Sequence, residues 1–108
     1  MSSVLAVAQK RIALQMTLAG VPVHEVNTAG EAEDIVEPLL DNPGETQVLI
    51  VQESLRHGFS ELFRDRLRAH RGRPMIVYCP EFEHEESDVD AYLSSVIKPA
   101  VGYEIRLE

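Results

Sequence analysis

An open α/β fold built on a parallel sheet of four strands is predicted by three observations. Short apolar runs rich in β-branched residues recur at residues 4–8, 48–51 and 75–78. Continuous apolar runs are the pattern of strands buried on both faces, whereas half-exposed strands alternate. The gaps between strand runs carry apolar stripes at helical spacing, and Gly or Pro marks most of the changes of period.

The first run, Val4-Leu5-Ala6-Val7-Ala8, leads into a helical pattern in which Ile12, Met16 and Ala19 recur at i, i+4 and i+7 before Gly20 supplies a C-terminal stop. Residues 21–26 read as a weaker strand. Pro22 removes a ladder donor there, which suits a sheet edge or the first residues of a strand. Thr28-Ala29-Gly30-Glu31 has capping-box spacing, and Ala32, Ile35, Val36, Leu39 and Leu40 form one stripe before Asn42-Pro43-Gly44 breaks the helix. After the strand at 48–51, Phe59, Leu62, Phe63 and Leu67 form a third stripe ending near Gly72, and Arg73-Pro74 opens the last strand at 75–78. Right-handed crossovers between such units give a doubly wound sheet, flavodoxin-like or receiver-like in outline, with helices on its flanks.

Composition changes after Cys79-Pro80. Glu81-Phe82-Glu83-His84-Glu85-Glu86 reads as a solvated acidic connector. Ser87 can cap a further helix with Asp88 and Asp90 in its first turn, Val89, Tyr92, Leu93, Val96 and Ile97 form its stripe, and Pro99 stops it. The tail then alternates, with Val101, Tyr103, Ile105 and Leu107 on one face and Gly102, Glu104 and Arg106 on the other. Burying those four side chains would gain roughly 6–12 kcal/mol gross, before the entropy of ordering the segment is subtracted. The tail is therefore expected to dock, on the domain's own sheet or on a partner. Docking on a partner is the favoured expectation, because Pro99 and the connector set the tail apart from the βα units. The expected division is an α/β globular domain at residues 1–80 and an acidic linker, C-terminal helix and extended tail at 81–108.

The chain's 108 residues suit one domain. No run approaches the roughly 20 apolar residues of a membrane span, and Met1-Ser2-Ser3 lacks the basic start of a signal peptide, so a cytoplasmic location without direct membrane insertion is expected. The net charge of −8 disfavours nucleic acid as a partner. Its distribution is uneven. Residues 25–53 hold eight acidic groups and no basic one, and residues 81–108 hold eight acidic groups against Lys98 and Arg106, yet residues 54–74 hold six arginines against Glu61 and Asp65.

The loops after the strands, where such folds bind ligands, carry neither a G-x-G-x-x-G nor a G-x-x-x-x-G-K-[ST] phosphate cradle. A phosphoryl-accepting receiver domain shares the outline, and that resemblance implies an acidic pair after the first strand, an aspartate ending the third and a lysine after the fifth. Here stand Gln9 and Lys10, then Gln52 and Glu53, with Lys98 the only late lysine. His24, His57, His70 and His84 lack metal-ligand spacing, and Cys79, ending an apolar run, reads as a buried structural thiol. No catalytic residue, cofactor or metal is expected. Arg64, Arg68 and Arg71 fall at i, i+4 and i+7, on a helical face opposite the third stripe. Such a face is either solvated or turned toward an acidic protein partner.

Leu18-Ala19-Gly20, the strand runs near 48–51 and 75–78, and above all Ala100-Val101-Gly102-Tyr103-Glu104-Ile105-Arg106-Leu107 give the chain its family likeness. It resembles the F-type stalk subunits of the V-type and archaeal A-type rotary ATPases. The resemblance implies a non-catalytic central-stalk (rotor) part bound to the coiled-coil shaft subunit, with the catalytic head as a second candidate partner. It implies a location peripheral to the membrane and a role in coupling ATP synthesis or hydrolysis to proton or sodium transport. The residues expected at the partner interface are Arg64, Arg68, Arg71, Tyr92, Ile97, Val101, Tyr103, Ile105 and Leu107. Two other classes stay open on sequence: a degenerate receiver-like interaction module in signalling, and a flavodoxin-like enzyme.

Overall fold

A computed structural model describes residues 3–80. Four parallel strands, β1 (Val4–Ala8), β2 (Val23–Glu25), β3 (Val48–Gln52) and β4 (Met75–Cys79), form one sheet in the order β2-β1-β3-β4. The expected flavodoxin-like α/β arrangement is therefore present. β1 pairs with β3 from Val4↔Val48 to Val7↔Val51, and β3 with β4 from Val48↔Met75 to Gln52↔Cys79. β1 and β3 lie at the sheet centre. Their alternate residues face opposite sides, which is why both strands read as unbroken apolar runs.

The two faces are covered differently. On one, Val4, Ala6, Ala8, Val48 and Ile50 pack with Ile12, Ala13 and Met16 of α1 (Lys10–Leu18). On the other, Val7, Leu49 and Val51 pack with Ala32 and Val36 of α2 (Ala29–Asp41), Leu55 of a 3₁₀ helix (Glu53–Gly58) and Phe63 of α3 (Glu61–Ala69).

Local signals explain the helix ends. Gly20 has φ 89°, its N–H donates to the Thr17 carbonyl at 3.0 Å, and Val21 N–H donates to Met16 at 3.0 Å. That pair of bonds is a Schellman closure, which favours glycine at its left-handed residue. Thr28 accepts from Glu31 N–H at 3.2 Å, while the Glu31 carboxylate accepts from Asn27 N–H at 3.0 Å, one residue before the cap. Ser60 caps α3 by accepting from Phe63 N–H at 3.2 Å, and its own N–H donates to Glu33 of α2 at 2.6 Å. Arg66 of α3 bridges Glu37 and Asp41 of α2. Packing and charge together hold α2 and α3 side by side.

Three details differ from the sequence expectation. The 3₁₀ helix has no apolar periodicity to announce it. Phe59 lies outside α3, as the C-terminal cap of that 3₁₀ helix, so Phe63 and Leu67 alone set the buried face and Leu62 is left 83 % exposed. And α3 ends at Ala69, so Arg71 does not continue the helical face of Arg64 and Arg68. The helix expected from Ser87 and the alternating tail, with Tyr92, Ile97, Val101, Tyr103, Ile105 and Leu107, lie outside the described residues.

Candidate functional site

In a doubly wound sheet the ligand crevice opens at the carboxyl ends of the strands, where successive crossovers diverge. With the order β2-β1-β3-β4 that point lies between β1 and β3. Gln9, just after β1, and Gln52, the last residue of β3, fill it. The Gln9 N–H donates to Gln52 Oε1 at 2.8 Å, and Gln52 Nε2 donates to Gln9 Oε1 at 3.0 Å and to Ser54 Oγ at 2.6 Å. Gln9 Nε2 in turn donates to the Asn27 carbonyl at 2.9 Å. Gln52 is only 2 % exposed. Both residues are neutral carboxamides, so the crevice offers neither a carboxylate for a cation or phosphoryl group nor a backbone nest for an anion.

Cys79, beside Gln52 in the β3–β4 register, is buried as expected. Burial, with a smaller effect of the Glu53 charge, pushes its thiol up to about 12. A protonated, enclosed thiol is a packing group and a poor nucleophile.

One strand further along, an open pocket of about 780 Å³ lies beyond the carboxyl ends of β3 and β4. Arg56, His57, Arg64 and Arg68 supply its polar wall, with Phe59, Leu67 and Tyr78 the apolar one. The Arg56 guanidinium sits 4.3 Å from the Tyr78 ring centroid, a cation–π distance. Burial raises the Tyr78 hydroxyl above its ordinary value, and the nearby Arg56 charge partly opposes that.

The arginines expected to act together have separate positions. Arg64 donates to the Arg56 and His57 carbonyls at 3.0 and 2.9 Å, closing the 3₁₀ helix. Arg71 donates to the Arg68 and His70 carbonyls at 3.1 and 2.8 Å, closing α3. Arg68 pairs with Asp65 at 2.5 Å and is 71 % exposed. Arg64 and Arg68 thus meet at the pocket, and Arg71 is not among its lining residues. Sequence reasoning missed Arg56 and Tyr78. Arg56 lies in a helix without a periodic signal, and Tyr78 reads as a core strand residue. Its place at the carboxyl end of a strand is the one available clue.

The family model described as ATP synthase (F/14-kDa) subunit matches residues 4–96. The chain belongs to that family. The match spans all four strands of this F/14-kDa family member and runs past Pro80, while the terminal stretch from Ala100 lies beyond it. No significant match to a curated protein is found. The chain is accordingly an F/14-kDa subunit of the kind found in V/A-type ATPases, a component of an ATP synthase complex. Among its described residues no helix is long and apolar enough to cross a membrane, and no group of His, Cys, Asp and Glu could hold a metal ion.

Proposed function

We propose that this F/14-kDa subunit is a non-catalytic rotor component of the central stalk. It binds the coiled-coil shaft subunit, lies peripheral to the membrane, and helps couple ATP synthesis or hydrolysis to proton or sodium transport. The observation that carries this reading is the switch point between β1 and β3. The place where the fold would seat a nucleotide or phosphoryl group is filled by the Gln9–Gln52 amide pair, whereas the arginine pocket faces outward at the sheet edge. A body of that kind suits protein recognition better than turnover.

The division into a body at residues 1–80 and a gripping region at 81–108 belongs to the same proposal. Arg64, Arg68 and Arg71 would contribute electrostatic attraction, and Tyr92, Ile97, Val101, Tyr103, Ile105 and Leu107 would contribute apolar contact. The test is size-exclusion chromatography of the purified chain with the shaft subunit of its own complex, followed by calorimetric titration of each with Mg-ATP. Co-elution, with ATP binding by this chain weaker than about millimolar (the free energy of such weak binding is near −4 kcal/mol), is the expected outcome. Independent elution together with tight ATP binding would overturn the proposal.

A further inference from the structure

The pocket beyond β3 and β4 is cationic in a protein that is otherwise strongly acidic. Its charge is incompletely balanced. Arg64 hydrogen-bonds to two carbonyls, which satisfy its N–H groups without neutralising it, and it makes no ion pair among the described residues. Arg56 approaches Glu53 only to 3.9 Å and spends its other face on the Tyr78 ring. Among the lining groups, only Arg68 has a close carboxylate, that of Asp65.

Pro80 itself lines this pocket. The residues that follow are Glu81-Phe82-Glu83-His84-Glu85-Glu86. We propose that the pocket is the acceptor for this acidic stretch of the same chain, with Phe82 against the Tyr78, Leu67 and Phe59 wall and glutamates toward the Arg56 and Arg68 rim.

Three features select this occupant over others. The charges are complementary, four glutamates against three arginines. An extended chain places alternate side chains on opposite sides, so Phe82 can point to the apolar wall while Glu81 and Glu83 point to the rim. And the stretch begins at the pocket wall, so its local concentration is of the millimolar order set by a short tether, whereas an external acidic segment must compete from solution. A docked stretch would fix the direction in which residues 87–108 leave the body. The proposal does not depend on the rotor reading, since it concerns the isolated chain.

The chain has no tryptophan, so Phe82→Trp in the full-length protein gives a single reporter, read by acrylamide quenching and emission wavelength. With tethered binding of millimolar strength at millimolar effective concentration, about half or more of the molecules are docked, and quenching in the parent should be about twofold lower than in R56E/R68E at low salt. About 1 M salt, where the screening length is near 3 Å, should raise quenching in the parent alone. E81K/E83K added to R56E/R68E should restore protection.

Arg56 and Arg68 have side chains 52 % and 71 % exposed, so the reversal leaves the core intact. Should it nevertheless impair folding, E81Q/E83Q in the parent asks the same question from the other side and should also raise quenching. Equal quenching in the parent and either variant at low salt would overturn the proposal. Protection that grows with protein concentration would overturn it in favour of a second copy in the pocket.

Discussion

Two neighbouring sites at the carboxyl edge of the sheet are built from opposite materials. Between β1 and β3, Gln9 and Gln52 close the crevice through four hydrogen bonds between neutral groups, two of them to Asn27 and Ser54. Beyond β3 and β4, Arg56, Arg64 and Arg68 surround an open pocket floored by Tyr78 and Leu67. The first site is buried and spends all of its polarity internally. The second leaves cationic charge at the surface. Amide pairing gives a fold of this kind a rigid, closed centre, and its recognition chemistry is displaced by one strand, toward the surface where a polypeptide can reach it.

That contrast can be broken at its buried side first. Gln52→Leu keeps the volume but leaves the Gln9 N–H and its side-chain oxygen without their partners. A buried polar group left unsatisfied costs about 1–3 kcal/mol, and urea unfolding should show a loss of that size. A loss no larger than that of a surface substitution would mean that the amide pair does not hold the crevice shut.

The arginines sharpen the comparison, since they share one pocket but have different partners. Arg64→Ala removes two charge-assisted bonds to carbonyls of the 3₁₀ helix, and about 1 kcal/mol is expected after discounting for exposure. Arg68→Ala removes an exposed i,i+3 pair with Asp65 and should cost under about 0.5 kcal/mol. Equal losses in urea denaturation would erase the distinction between a capping and a surface arginine.

Much of this is legible in the amino-acid order. The strands at β1 and β3 are readable because burial on both faces suppresses polar residues. The stop at Gly20 and the cap at Thr28 are readable because each requires a particular side chain or backbone angle. The F/14-kDa family likeness is carried by such features together with the terminal motif. The 3₁₀ helix is not readable, because its six residues follow the needs of the β3 exit and repeat nothing. Leu62 reads as core only when Phe59 is counted in the same helix, which shifts the phase of the stripe. Arg56 and Tyr78 come together only because β3 and β4 pair in register, with Val51 opposite Tyr78. No local pattern encodes that meeting.

A smaller, pH-dependent effect should separate the buried edge from the open one. The Cys79 thiol is raised from 9.0 to about 12 in the folded chain. The folded state therefore holds this proton more tightly than the unfolded state. Its stabilisation is fully present below about pH 9, where the ordinary thiol begins to ionise, and is lost as pH rises toward about 12. Comparing the thermal midpoint of the parent with Cys79→Ala between pH 7 and 11 should show the parent falling more steeply above pH 9. Parallel curves would place the thiol in solvent contact.

The partner-binding role rests most heavily on the division between body and tail. Deleting residues 100–108 and measuring both the thermal midpoint and the affinity for the coiled-coil shaft subunit tests it most directly. An unchanged midpoint with binding sharply reduced is the expected result, because the described body closes its own centre without the tail. A truncated chain that unfolds or loses several kcal/mol of stability, or one that binds the shaft as tightly as the full chain, would contradict it.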